Sequence, residues 1–126
     1  MNMLSKTDAL RAYASMLNSL DTKDFAPLLA ADCHYESYWV LAELGGKREF
    51  LAYITGELQT LRASGKRVWA ELGYCFWGPC VVLAEDEQDN LVATFVVEVE
   101  GDEIKRMDLC GVPSPYLARR SGEYPK

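Results

Sequence analysis

The sequence predicts an α+β fold in which three N-terminal helices pack on one face of a curved, mostly antiparallel sheet. Apolar residues recur at helical spacing over residues 5–20 and 47–64, and after Gly65 the pattern changes to short strands separated by polar turns. Helices followed by a run of strands are typical of an α+β domain. The 126 residues show no repeat and no internal linker, which indicates a single domain over residues 1–126.

Each predicted helix has an apolar stripe or a start signal. Residues 5–20 carry the stripe Leu10, Tyr13, Ala14, Leu17 and Leu20, with Ser5 or Thr7 able to cap the start. A shorter helix is predicted from Asp21 or Thr22 to about Ala30, with Pro27 placed early. The third, residues 47–64, follows Gly45-Gly46 and ends at Ser64-Gly65.

The strands are predicted from β-branched and aromatic runs between turn residues. The first spans about residues 32–40, and "LAELGG" then turns the chain. The later strands are expected at about 67–76, 80–87, 91–100 and 103–111, joined by the turns "WGP", "EDEQDN" and Gly101-Asp102. Residues 112–126 contain three prolines and are expected to be an irregular tail.

Composition restricts the possible partners. The net charge of −6 argues against nucleic-acid binding, which needs a basic face. No apolar run has the length of a membrane span, and the N-terminus does not resemble a signal peptide, so we expect a cytoplasmic protein with reduced cysteines. The four cysteines are scattered and His34 is the only histidine, so no metal and no cofactor is expected.

The strand "ADCHYESYWV" places different chemistry on its two faces. Strand alternation groups Cys33, Tyr35, Ser37 and Trp39 on one face, and His34, Glu36, Tyr38 and Val40 on the other. His34 beside Glu36 could act as an oriented general base, but a polar surface patch or a subunit contact is the interpretation we favour. The face of Tyr35, Ser37 and Trp39 could line a ligand pocket or could be plain core.

Two carboxylates and three further aromatic residues are weaker candidates. Glu71 shares a strand face with Trp69, and is either a desolvated base lining a pocket or an ordinary surface glutamate. Asp108 is either an acid–base group or half of a surface ion pair with Arg106, and we favour the pair. Ile104 is expected on the same strand face as Arg106 and Asp108. Tyr53 could reach a pocket mouth, and Trp77 could form part of a rim.

The order of elements and two stretches of sequence resemble the nuclear-transport-factor-2-like superfamily, and its SnoaL-like and ketosteroid isomerase branches most. "LNSLDTKDFAPLLAADCHYES" (residues 17–37) is similar to that family's helix end, acidic turn and strand, and "GGKREFLAYI" (residues 45–54) to the start of its long helix. The resemblance covers the chain up to about Gly111. It implies a cone-shaped, cystatin-like fold with a pocket at the wide end, and a homodimer through the convex sheet face.

The same resemblance makes steroid isomerisation improbable. Ser37 occupies the place of the family's catalytic aspartate, and the positions Ala93, Phe95 and Val97 carry no carboxyl for the second acid, although Tyr13 matches the oxyanion-binding tyrosine. Two functions stay open. We favour a non-catalytic module that binds a small apolar molecule; the residues expected to enclose it are Tyr13, Tyr35, Ser37, Trp39, Tyr53 and Trp69. The alternative is a metal-independent isomerase, dehydratase or cyclase-type enzyme that uses Tyr13 with Glu71 or Asp108 for proton transfer.

Overall fold

Two helices and seven strands make up the fold in the computed structural model, which describes residues 3–38, 42–112 and 114–126. Helix α1 spans Lys6–Ser19 and α2 spans Lys47–Ser64. The strands are β1 (Leu29–Ser37), β2 (Ala42–Gly45), β3 (Val68–Cys75), β4 (Gly78–Glu85), β5 (Leu91–Glu100), β6 (Glu103–Cys110) and β7 (Arg119–Arg120). They form one sheet in the order β2-β1-β6-β5-β4-β3-β7. Only the β1–β6 pair is parallel among the described pairs.

Both long helices form where the apolar stripes predicted them. The Ser5 side chain caps α1 by accepting a hydrogen bond from the Asp8 N–H, at 3.0 Å. Gly65, in the left-handed conformation at φ 72°, ends α2. The buried face of α2 consists of Phe50, Ile54 and Leu58. Within the described residues, no helix has the length and apolar character needed to cross a membrane.

The predicted second helix is wrong, so the fold has two N-terminal helices rather than three. Asp21 Oδ1 instead accepts a hydrogen bond from the Lys23 N–H, at 2.9 Å, and closes a local turn. Only one 3₁₀ turn, Ala26–Leu28, follows, because the next residue already enters the sheet. Leu29 already pairs with Ile104 across the sheet, so β1 begins three residues before the expected strand.

Two segments predicted as turn or tail belong to the sheet. The stretch "LAELGG" contains β2, which pairs antiparallel with β1. The C-terminal tail contains β7, where Arg119 and Arg120 pair with Tyr74 and Gly73 at the far edge of the sheet. The expectation of an irregular tail is therefore wrong for residues 119–120. A short strand of two charged residues has no local sequence signature, since its partner is distant in sequence.

The sheet has an inner face, which packs against the helices, and an outer face. The inner positions are Cys33, Tyr35, Ser37, Ala70, Leu72, Val81, Leu83, Ala93, Phe95, Val97, Ile104 and Met107, and all are buried. Ile104 lies on this face although Arg106 and Asp108 do not, which corrects the predicted grouping. The ladder shifts register between Glu98↔Arg106 and Val99↔Ile104, so Lys105 is an extra residue that reverses the alternation.

Candidate functional site

Aromatic rings fill the inner side of the fold beneath α1 and α2. Tyr13 of α1 stacks on Phe95 of β5 with ring centroids 3.5 Å apart. Tyr35 of β1 contacts Phe50 at 5.1 Å and Tyr53 at 5.8 Å between centroids. The structure therefore brings together the predicted residues Tyr13, Tyr35 and Tyr53, and it packs them against the protein's own aromatic core. Trp39 was expected beside them and lies outside the described residues.

These three tyrosines are held in their protonated form. Burial raises the pKa of Tyr13 well above the ordinary value of 10.0, with the nearby phenols of Tyr35 and Tyr53 adding to the effect. Burial also raises the pKa of Tyr35 and, less strongly, of Tyr53, next to the carboxylate of Glu57. Such hydroxyls donate hydrogen bonds readily and do not act as bases at neutral pH.

Ser37 is the inner residue whose polar group makes no well-formed hydrogen bond among the described residues. Its side chain is 3% exposed, and the buried Oγ makes no hydrogen bond of good geometry to a described residue, although Ser37 is close enough to the Tyr35 hydroxyl to lower the pKa of Tyr35. Buried hydroxyls are nearly always hydrogen-bonded, so an unpaired one needs an explanation. Ser37 also lines a cleft of about 380 Å³, which we call the rim cleft. Its walls are Glu36, Ser37, Tyr38, Glu43, Asp108, Leu109, Cys110, Gly111 and Val112.

The outer side of the rim cleft carries a network of charges. Arg106 Nε and Nη2 each donate to Asp108, both at 3.0 Å, so the ion pair predicted for Asp108 is confirmed. Arg106 Nη2 also lies 3.3 Å from Glu36 Oε2, and His34 Nε2 lies 3.1 Å from Glu36 Oε1. The contact with His34, followed by the charge of Arg106, lowers the pKa of Glu36 from its usual value. His34 and Glu36 thus form part of a polar patch.

Glu71 has a structural role that neither predicted alternative described. It lies on the outer face opposite Ala70 and Leu72, so its expected place beside the inner tyrosines is wrong. It is also no ordinary surface residue, because its side chain is only 4% exposed beneath the C-terminal tail. Glu71 accepts from Arg120 Nε at 2.7 Å, from the Gly122 N–H at 2.7 Å and from the Tyr124 hydroxyl at 3.2 Å.

Trp69 accompanies Glu71 on the outer face and lies away from the inner tyrosines, which corrects its predicted position. Its ring packs edge-on against Tyr124 at 5.9 Å, and the Arg67 guanidinium lies 3.5 Å from the ring centroid. Since the tail covers this face of β3, Trp69 contributes to tail docking.

The predicted acid–base pairs are therefore not assembled. Tyr13 lies on the inner side, whereas Glu71 and Asp108 lie on the outer side, so neither carboxylate accompanies it. The residue that the sequence reasoning missed is Glu43, which pairs directly with Glu36 across the β1–β2 ladder. The stretch "LAELGG" was taken as a turn, and a turn gives no cross-strand register by which Glu43 could be placed.

Comparisons with known proteins identify the fold. No protein-family model matches the chain, and no curated protein matches it in sequence. An NTF2-like protein of unknown function from Cytophaga hutchinsonii is 10% identical with a TM-score of 0.63, over 91% of this chain and 96% of that one. A SnoaL-like protein of unknown function from Burkholderia thailandensis is 13% identical with a TM-score of 0.62, over 96% and 100% of the two chains.

A third structure of the same fold contains a small ligand. It is a protein with a ketosteroid isomerase-like fold from Catenulispora acidiphila in complex with trimethylamine, 16% identical with a TM-score of 0.58 over 88% of this chain and 90% of that one. Identities this low show the fold alone. The chain has the nuclear-transport-factor-2-like fold, which confirms the fold that the sequence resemblance implied.

Proposed function

We propose that this chain is a SnoaL-like, non-catalytic module that binds a small, largely apolar molecule at the rim cleft. The observation that supports this most is Ser37, which lines the cleft and whose buried hydroxyl makes no well-formed hydrogen bond among the described residues. A ligand with one hydrogen-bonding group would satisfy this hydroxyl, and a buried hydroxyl left unpaired costs about 1–3 kcal/mol.

The other cleft walls favour an uncharged or cationic ligand with an apolar body. Leu109 and Val112 offer apolar surface, while Glu36, Glu43 and Asp108 would repel an anion. A volume of about 380 Å³ suits a small molecule. Trimethylamine in a structural relative is such a molecule, small and apolar apart from one nitrogen. Of the residues predicted to enclose the ligand, Ser37 lines the rim cleft, whereas Tyr13, Tyr35 and Tyr53 are not among its described walls.

The absence of an assembled acid–base pair favours binding over catalysis. Inner positions Ala93, Phe95 and Val97 carry no carboxyl and are buried in the core. By the sequence resemblance, Ser37 occupies the position at which ketosteroid isomerases have a catalytic aspartate. A proton transfer needs a base within hydrogen-bond reach of the substrate, and the tyrosine hydroxyls stay protonated.

Native mass spectrometry of freshly purified protein tests the proposal. We expect a retained small molecule, visible as extra mass per chain, and its loss in Ser37→Ala but not in Ser19→Ala, which removes an exposed hydroxyl on α1. If no molecule is retained, trimethylamine and the neutral tert-butanol, which also carries three methyl groups, are added in a thermal-shift assay. No retained mass together with no stabilisation by either probe contradicts the proposal.

An acid–base enzyme is the second candidate, because Asp108 and Ser37 line the same cleft. The two functions differ in the fate of the retained molecule. An enzyme would convert it on incubation, and Asp108→Asn would abolish conversion while binding persists. A binding module would leave it unchanged in both proteins.

We also propose a homodimer through the outer sheet face. Phe76 and Trp77, at the β3–β4 turn, are 83% and 63% exposed, and Trp77 borders an outer groove of about 340 Å³ with Pro79, Val96 and Val112. The same native mass spectrum reports the number of chains, and Trp77→Ser is expected to shift a dimer toward the monomer. A monomer for the unmodified chain at micromolar concentration contradicts this proposal.

A further inference from the structure

Three metal-ligating side chains converge at the outer end of the β1–β2 ladder. His34 Nε2 lies 3.1 Å from Glu36 Oε1 and 3.5 Å from Glu43 Oε1. One ligand atom from each of the three residues can be chosen so that all lie within 4.8 Å of one another. The register explains the convergence, because Glu36 is directly opposite Glu43 and His34 is directly opposite Gly45.

These separations match the edges of a coordination polyhedron. Zinc binds imidazole nitrogen and carboxylate oxygen at about 2.0–2.2 Å, so neighbouring ligand atoms in a tetrahedral site are about 3.3–3.5 Å apart. The two contacts of His34 measure 3.1 and 3.5 Å, so one lies slightly below this range and the other at its upper end. One histidine and two carboxylates are a donor set that first-row divalent cations accept.

The local charge balance also favours a cation. Glu36 and Glu43 are two like charges directly opposite each other on adjacent strands, a destabilising arrangement when nothing compensates it. Asp108 lies opposite Glu36 on the other neighbouring strand, β6. Among the described contacts of these carboxylates, the guanidinium of Arg106 is the permanent positive charge, and Asp108 takes two of its hydrogen bonds.

We propose that His34, Glu36 and Glu43 form a binding site for a divalent transition-metal ion of the Zn²⁺ type. Arg106 contacts Glu36 Oε2 and leaves Oε1, which is the atom next to His34, available to the metal. A ligating carboxylate is commonly oriented by such an outer contact. Glu43 is 71% exposed on its side chain, so an ion can reach the site from solvent.

An independent observation connects this site to a further ligand. Glu36 and Glu43 border the rim cleft, and the same cleft is lined by Ser37, whose buried hydroxyl makes no well-formed hydrogen bond among the described residues. Three protein ligands leave a coordination position open for water or a small molecule. A group bound at this open position would lie beside the wall of the rim cleft, which also includes Ser37. The metal site does not depend on the small-molecule function proposed above.

Co²⁺ titration of chelator-treated protein, followed by absorption spectroscopy and calorimetry, tests the metal site. Nitrogen and oxygen ligation gives visible d–d bands without the near-ultraviolet charge-transfer band of a cobalt thiolate. This distinction matters because Cys75, Cys80 and Cys110 are also present. Burial raises the pKa of the Cys80 thiol to about 12, which disfavours the thiolate that a metal needs.

We expect one Co²⁺ per chain, displaced by Zn²⁺, and an affinity at least about tenfold weaker in Glu43→Gln and in His34→Ala. Glu98→Gln, an exposed glutamate of β5, is the matched control and keeps the original affinity. Glu43→Gln changes an exposed residue, and its fold is verified by circular dichroism. Equal affinity in all four proteins, a thiolate band, or no saturable binding overturns the proposal. Ser37→Ala keeps metal binding, which separates this result from failure of the proposed ligand function.

Discussion

Replacing Glu71 by glutamine should detach the C-terminal tail from the outer face of β3. The carboxylate accepts hydrogen bonds on both oxygens, from Arg120 Nε at 2.7 Å and from the Gly122 N–H at 2.7 Å. An amide offers one oxygen and one NH₂ group. Whichever way the amide turns, its NH₂ group would therefore face either the Arg120 Nε–H or the Gly122 N–H, and two donors cannot form a hydrogen bond with each other.

The expected loss follows from burial and charge. The Glu71 side chain is 4% exposed and the Arg120 side chain is 31% exposed, so water screens the ion pair on the Arg120 side only. Breaking a buried ion pair by removing one partner costs about 3–5 kcal/mol, and the access of water to Arg120 favours the lower value. We therefore expect a loss of about 3 kcal/mol in the free energy of unfolding, or about 10 °C in Tm for a domain of this size.

Urea unfolding at pH 7 measures this loss, and hydrogen exchange of residues 114–126 reports the tail directly. The control is Glu87→Gln, an exposed glutamate in the β4–β5 turn, which should change stability by less than about 0.5 kcal/mol. A double-mutant cycle with Arg120→Gln should give a coupling of at least about 1 kcal/mol. If Glu71→Gln behaves like the Glu87 control and tail exchange is unchanged, the assigned role is refuted.

Four further substitutions test other parts of the structure. Gly73→Ala should lower the free energy of unfolding by about 1–3 kcal/mol, because the added Cβ would lie 2.7 Å from the Arg119 carbonyl oxygen. Gly56→Ala in α2 should raise it by about 0.5–1 kcal/mol, because a Cβ there meets nothing within 4 Å. Equal urea midpoints for the two variants would contradict this. Asn18→Ala should lower the free energy of urea unfolding by about 1–3 kcal/mol, since this side chain joins α1 to both β3 and the tail. Faster hydrogen exchange of the tail with no change in the free energy of unfolding would contradict this. Burial raises the pKa of Tyr35, so the stability that this tyrosine contributes is complete below pH 10.0, its ordinary pKa, and is lost as the pH rises further. Tyr35→Phe should therefore flatten the decline of the free energy of unfolding between pH 9 and 11. An unchanged slope would contradict the assignment.

Local sequence patterns placed the long helices and the central strands, because each of these elements has its own apolar periodicity. The α1 stripe of Leu10, Tyr13, Ala14 and Leu17 is buried as predicted. Alternation along β1 likewise separated Tyr35 and Ser37 from His34 and Glu36. These features depend on side chains a few residues apart, which is the range that a sequence pattern describes.

Most of the failures lie where the deciding contact is remote. The predicted second helix was lost because Leu29 pairs with Ile104, and the tail gained β7 because Gly73 allows the Arg119 backbone to approach closely. The extra residue Lys105 moved Ile104 to the inner face. The first two contacts join residues beyond helical or hairpin distance in the sequence, whereas Lys105 is a bulge within the β5–β6 hairpin that simple alternation does not reveal.

The sequence by itself determined the α+β class and the positions of the inner aromatic residues, since these follow from residue identity and short-range spacing. Only the tertiary structure decided that Glu71 holds the tail, that the Ser37 hydroxyl makes no well-formed hydrogen bond among the described residues, and that Glu43 meets His34 and Glu36. Each of these depends on strand register and on which segment covers an outer face, and both are set by the packing of the whole chain.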